Sequence, residues 1–228
     1  MSRFIVDSNG VIPPHVIYTP ASGISFKTII HCHGNGTDVE AMELKMLKFA
    51  NAMQSTLVSW EYPGYGPREA DPCYADKICI DVVELYDHLV RNGTSEDDII
   101  IFGHSIGSGP AVWLASQRKH IGGLILQSPY TSIRDIVRDK VGWWVGSLCP
   151  TVFDNETAIA SITAPILLIH GQRDTLISPK HSKKLAAAAL QSVKIKERYV
   201  PGVTHSDMWN LEEDIIKPVC DFLLQELK

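Results

Sequence analysis

"IFGHSIGSGP", Ile101–Pro110, sets one serine between two glycines directly after an apolar run. A serine hydroxyl is a weak nucleophile, and catalysis needs it lifted out of hydrogen-bonded regular structure and presented to a base. The pattern G-x-S-x-G does this when a strand enters it and a helix leaves it. The turn then strains the serine backbone, and the flanking glycines leave room for the neighbouring chain. Here "DIIIF" runs in, "SGPAVWLASQR" runs out, and Gly103 and Gly107 flank Ser105. Gly107, Ser108 and Gly109 are small enough to let the helix lie close to a sheet, and Pro110 falls in the opening turn, where a missing N–H is little loss. The five-residue pattern alone also fits a serine that merely opens a helix, so its meaning rests on whether an acid and a histidine stand later in the chain.

Outward from this stretch, short apolar runs alternate with longer segments of helical period, which predicts a mostly parallel sheet covered by helices. Eight strands are expected: "RFIV", "HVIYTP", "KTIIHCH", "TLVSWEY", "DIIIFGH", "GGLILQS", "PILLIHG" and "KIKERYV". Helical patterns lie in "VEAMELKMLKFANAM", with a cap at Thr37 or Asp38, and in "ADKICIDVVELYDHLVRNG", closed by Gly93. A third helix starts at Ser105. "SPKHSKKLAAAALQS" has Ser178 as N-cap with Pro179 at the first helical position, and "LEEDIIKPVCDFLLQEL" carries Pro218 as a kink or a late start. Residues 138–162, between the sixth and seventh strands, break the rhythm and are expected to form a small cap over a site.

In an open parallel sheet, reactive groups collect at the carboxyl ends of strands. Asp174 stands just past "PILLIHG" and His205 just past "ERYVPG", which gives the order serine, acid, histidine that the strand-turn-helix serine requires. His205 is expected to take the Ser105 proton and return it to the leaving group, with Asp174 fixing the imidazole tautomer and stabilising the imidazolium. Asp207 is read as a helix cap. His104 is given a structural role, and His170 is read as a core histidine or one supporting a catalytic neighbour. His31 and His33 share a strand face, but no third ligand is near them in sequence, so no metal is expected. "HGNG", His33–Gly36, follows the third strand. Its Asn35 N–H and the Ile106 N–H at the helix start are the expected oxyanion donors.

Length and composition bound the rest. The 228 residues suit one domain spanning 1–228, and 45% hydrophobic with 21% charged residues excludes disorder and fibrous repeats. A formal charge of −5 gives no electrostatic reason to expect nucleic acid. Five scattered cysteines without a C-x-x-C pair resemble neither a disulfide framework nor a zinc site, and reduced thiols in a cytoplasmic protein are the simpler account. No run approaches a membrane-spanning length, and "MSRFIVDSNGVIPPHVIYTP" lacks the apolar core of a signal peptide.

With "HGNGTD", "WEYPGYG", "GHSIGSGPAVWLAS", "LILQSPYTSI", "ITAPILLIHGQRDTLIS" and "GVTHSD" in order, the chain resembles the α/β-hydrolase superfamily over nearly its whole length. Within it, the chain is most similar to the compact serine hydrolases that remove palmitate from cytosolic protein cysteines. That resemblance implies an eight-stranded α/β-hydrolase fold and acyl ester or thioester hydrolysis, S-acylated proteins being candidate substrates, without a cofactor. Those depalmitoylases share an acylated, cysteine-rich leader. This sequence has no cysteine before Cys32, so the expected membrane contact is at most peripheral. Trp143 and Trp144 in the cap could cover a fatty chain or pack the cap onto the core, and Tyr65 could line the site. A general carboxylesterase, a monoacylglycerol lipase, an aminopeptidase-like hydrolase and a non-catalytic binding protein of the same fold stay open as alternatives.

Overall fold

The computed structural model describes residues 2–5, 11–205 and 210–226. In chain order the elements are β1 (Ser2–Ile5), β2 (His15–Tyr18), β3 (Thr28–Cys32), α1 (Glu43–Met53), β4 (Thr56–Trp60), α2 (Ala75–Arg91), β5 (Ile99–His104) and α3 (Ser108–Gln117). They continue with β6 (Gly123–Gln127), α4 (Ile133–Val141), α5 (Trp143–Ser147), α6 (Asn155–Ile159), β7 (Ile166–Gly171), α7 (Lys180–Ala188), β8 (Ile195–Val200) and α8 (Lys217–Glu226). The strands form one sheet in the order β1-β2-β4-β3-β5-β6-β7-β8. β1 pairs antiparallel with β2 and β2 with β4, and every later pairing is parallel. This is the eight-stranded, mostly parallel sheet expected of the sequence.

Burial on both faces explains why the central strands read as unbroken apolar runs. Along β5, Ile99 and Ile101 enter the core on one face while Ile100 and Phe102 enter the core on the other. β7 divides the same way, with Ile166 and Leu168 opposite Leu167 and Ile169. Side chains of α2, α3, α6 and α7 fill the first core, and those of α1 and α8 fill the second. Each fully buried aliphatic side chain contributes about 1.5 to 3 kcal/mol relative to exposure, so the sheet is anchored on both sides.

Several boundaries differ from the sequence reading. Asp38 Oδ1 accepts from Ala41 N–H at 2.7 Å and closes a turn, but α1 begins at Glu43 after Met42, without a side-chain cap. The helix expected from Ser105 opens with a 3₁₀ turn, Ser105–Gly107, before α3 begins. α7 starts at Lys180, so Pro179 occupies the capping position expected of Ser178. Pro218 marks a late start: a π-helical turn, Leu211–Ile216, precedes α8. The segment after β6 is largely helical, and α4 straddles the boundary expected at 138. Asp207 lies outside the described residues.

Candidate active site

Ser105 follows β5 directly with φ +53°, a left-handed conformation that a non-glycine residue adopts at a cost. The turn is held from several sides. A Cβ on Gly107 would lie 2.1 Å from Cys32 O and 2.6 Å from His33 O, and one on Gly103 would lie 2.7 Å from Ala111 Cβ. The end of β3 therefore packs backbone to backbone against the turn carrying the serine. Ser108 Oγ donates to Ser105 O at 2.7 Å, and Tyr130 OH donates to Ile106 O at 3.1 Å.

The loops after β7 and β8 bring Asp174 and His205 to this serine. His205 Nε2 lies 3.1 Å from Ser105 Oγ, and His205 Nδ1 lies 2.7 Å from Asp174 Oδ2. An ionised carboxylate only accepts, so Nδ1 carries the proton and Nε2 faces the serine hydroxyl with its lone pair. Asp174 Oδ1 accepts from the Leu176 and Ile177 N–H groups at 2.9 and 2.8 Å. Burial alone would raise the Asp174 carboxyl, but hydrogen bonds from His170, His205 and Ile177 hold it well below the usual carboxylate range. His104 stacks on His205, with ring centroids 6.1 Å apart and planes at 18°. Burial chiefly, with Lys45 and His205 nearby, pushes His104 down to about 3, so it stands beside the site uncharged at neutral pH.

Opposite the serine, the "HGNG" loop leaves β3. Gly34 packs so tightly on His104 that a Cβ there would lie 2.7 Å from its Nδ1. Ile106 is the second residue of the 3₁₀ turn, whose first N–H groups lack an intrahelical acceptor. Asn35 is exposed, and its Oδ1 accepts from Tyr65 OH at 2.7 Å, which ties Tyr65 to this loop. Glu61 was not anticipated from the sequence, yet it is fully buried and central here. Its Oε1 lies 3.1 Å from His33 Nε2, its Oε2 accepts from Val39 N–H at 3.0 Å, and His33 Nδ1 donates to Gly34 O at 2.9 Å. Tyr62 stacks on His33 at 4.0 Å and donates to His33 O at 2.8 Å. His31 pairs instead with Ser59 Oγ at 3.0 Å. The signal was in the register: β3 and β4 pair with an offset of 28, which sets His31 beside Ser59 and carries on to His33 and Glu61.

The two tryptophans expected to cover a fatty chain or to pack onto the core do not pack onto the core. Trp143 and Trp144 are 60% and 80% exposed. Trp143 borders a notch of about 340 Å³ with Asp135, Arg138, Lys180, His181 and Lys184. A larger cavity of about 970 Å³ runs between α2, α3 and α6, past Gly109, Trp113 and Phe153, and neither Ser105 nor His205 lines it. Among the described residues, no group of three or more His, Cys, Asp or Glu side chains is placed to hold a metal ion, and no helix is long and apolar enough to cross a membrane.

The sequence profile of the serine aminopeptidase S33 family matches residues 25–153, which include Ser105. The chain is 30% identical over 202 residues to alpha/beta hydrolase domain-containing protein 17B of Homo sapiens, covering 88% of this chain and 67% of that protein. It is 28% identical over 203 residues to protein 17C of Xenopus tropicalis, covering 88% of this chain and 62% of that one. Among solved structures, Est1E from Butyrivibrio proteoclasticus with ferulic acid bound superposes with a TM-score of 0.75 at 20% identity, over 98% of each chain. A Mycobacterium tuberculosis puromycin-hydrolyzing peptidase superposes with a TM-score of 0.73 at 14% identity, over all of this chain and 38% of that one. At those identities the two structures speak to the fold alone.

Proposed function

The chain belongs to the serine aminopeptidase S33 family and has the α/β-hydrolase fold, and from that premise we propose that it cleaves acyl esters or thioesters through Ser105, His205 and Asp174. The observation that carries this reading is the unbroken path from Ser105 Oγ to His205 Nε2, 3.1 Å, and from His205 Nδ1 to Asp174 Oδ2, 2.7 Å. His205 Nε2 takes the hydroxyl proton as Oγ attacks the acyl carbonyl. The N–H groups of Asn35 and Ile106 receive the negative charge that develops on the carbonyl oxygen. The imidazolium then protonates the leaving alcohol or thiol, which departs and leaves an acyl-enzyme. Water, deprotonated by the same nitrogen, releases the acid and restores the serine. No step calls for a cofactor. Residues 1–228 act in this reading as one catalytic domain, with 138–162 as its cap and Tyr65 bordering the acyl site.

S-acylated proteins are the candidate substrates, supported by the resemblance to depalmitoylases. A cytoplasmic location, peripheral at membranes, agrees with the absence of disulfides among the described cysteines. Fluorophosphonate labelling tests the nucleophile. The wild type is expected to label and Ser105→Ala to lose both labelling and turnover while keeping its far-UV spectrum, whereas labelling that persists in Ser105→Ala would assign another nucleophile. Palmitoyl-thioester peptides, short p-nitrophenyl esters, monoacylglycerols and aminoacyl amides then separate the depalmitoylase from the carboxylesterase, lipase and aminopeptidase readings, with the palmitoyl peptide expected to turn over fastest.

A further inference from the structure

His170, the fifth residue of β7, is fully buried and serves no step of the chemistry above. Its Nε2 lies 2.9 Å from Ile177 O and 3.3 Å from Asp174 Oδ2, and its Nδ1 lies 2.6 Å from Ser182 Oγ on α7. A carbonyl oxygen can only accept, so Nε2 carries a proton, and the Asp174 carboxylate lies within reach of the same N–H. The two oxygens of Asp174 are thus held differently. Oδ1 is fixed by two backbone N–H groups of its own loop, while Oδ2 stands between two imidazoles, His170 behind it and His205 in front.

We propose that His170 is a positioning residue for the hydrolytic site: its shared Nε2–H keeps Asp174 Oδ2 on the line to His205 Nδ1, and Ser182 fixes the ring that does so. The inference rests on the reading of Ser105, His205 and Asp174 as the triad. Backbone contacts to Oδ1 alone leave the carboxylate free to swing Oδ2 about them. A donor on the far side of Oδ2 removes that freedom, and it does so from a strand rather than from the loop. The surroundings leave few competing charges. His170 faces Asp174 on the β7 loop and Ser182 on α7, beside His181, whose Nε2 lies 3.4 Å from Asp139 of α4. His205 faces Ser105, Asp174 and the stacked ring of His104.

Three measurements test this with a short p-nitrophenyl ester. His170→Phe keeps the bulk and removes the donor; kcat is expected to fall about 10- to 100-fold, the worth of a hydrogen bond to a charged group, with KM changed by less than about twofold. The acid limb of its kcat/KM profile is expected to move to higher pH, because an Asp174 carboxylate with one donor fewer draws the His205 Nδ1–H more strongly and favours the protonated imidazole. His170→Gln, which keeps a side-chain N–H, is expected to recover most of kcat and the wild-type limb. In the wild-type protein, long-range ¹H–¹⁵N spectra are expected to show a protonated Nε2 at His170, a readout that does not depend on any variant folding. A folded His170→Phe with the wild-type kcat and pH profile, or a His170 whose Nε2 is unprotonated, would overturn the proposal. Wild-type protein that fails to take up fluorophosphonate would instead sink the triad reading on which it stands.

Discussion

Gly107 occupies a place where a methyl group cannot fit. Its Cβ would come 2.1 Å from Cys32 O and 2.6 Å from His33 O, and both atoms are backbone, so neither can rotate away. Gly107→Ala is therefore expected to cost more than the roughly 1 to 3 kcal/mol of ordinary overpacking and to disturb the end of β3 and the serine turn together. Urea unfolding and fluorophosphonate labelling on the same sample check this; a variant with wild-type stability and labelling would show that the two backbones are not in contact. Glu61→Ala is expected to cost about 3 to 5 kcal/mol, because it strands His33 Nε2 and the Val39 N–H in a site without water access, and Glu61→Gln is expected to cost less. Equal urea midpoints for the two variants would argue against that account. At this scale the meeting of Ser105, Asp174 and His205 is legible in the sequence, through their order, their places after strands and the glycines that flank the serine. Glu61 and the Asp174 side of His170 are hidden in the sequence, because a buried carboxyl–imidazole contact and a shared N–H leave no local pattern and exist only once strands are in register.

Among the elements, the central strands were the plainest part of the sequence, since burial on both faces leaves an unbroken apolar run such as "PILLIHG" bounded by turn residues. Helix starts were harder. Asp38 looks like a cap and does bond a nearby N–H, yet α1 begins only at Glu43, because capping chemistry fixes a turn without dictating that a helix continues from it. The segment between β6 and β7 breaks the alternation of strands and long helices, since its helices are short and mostly half-buried or exposed and so carry no long apolar period. Their ends are nevertheless well defined. Ser132 Oγ accepts from Asp135 N–H at 3.1 Å at the start of α4, and Asp154 Oδ1 accepts from Thr157 N–H at 3.1 Å at the start of α6. α6 packs Ile159 into the core, whereas α4 presents no fully buried side chain. Ser132→Ala and Asp154→Ala are each expected to cost about 1 kcal/mol of helix stability. For Asp154→Ala the loss should appear in global urea unfolding, because α6 is tied to the core. For Ser132→Ala it should appear as faster amide exchange confined to α4, with the global midpoint little changed. Equal effects of the two variants on the global midpoint would mean that α4 unfolds with the sheet.

Taken as a whole, the molecule hides uncharged histidines in a core that melts as the sheet melts, and this sets its response to acid. Burial lowers His31 well below 6.5, lowers His15 and His181, and takes His104 down to about 3. In the unfolded chain these rings protonate near 6.5, while the folded chain keeps them neutral to lower pH. Below 6.5 the unfolded state therefore binds more protons than the folded state, so stability is fullest above 6.5 and falls as the pH drops toward 3. The depressed carboxyls of Asp174 and Asp135 act in the same direction but only lower down, below their ordinary value of 3.8. The histidines thus make the decline begin more than two pH units before carboxylate protonation could start it. The urea midpoint is expected to hold between pH 8 and 7, to fall steadily between about pH 6.5 and 4.5, and to fall less steeply in His31→Gln, whose replacement keeps a hydrogen-bonding group beside Ser59 but cannot titrate. A midpoint that stays level to pH 4.5 would mean that these rings are already protonated, or reach water, in the folded protein. The packing of both sheet faces, on which their burial depends, would then be looser than these contacts imply.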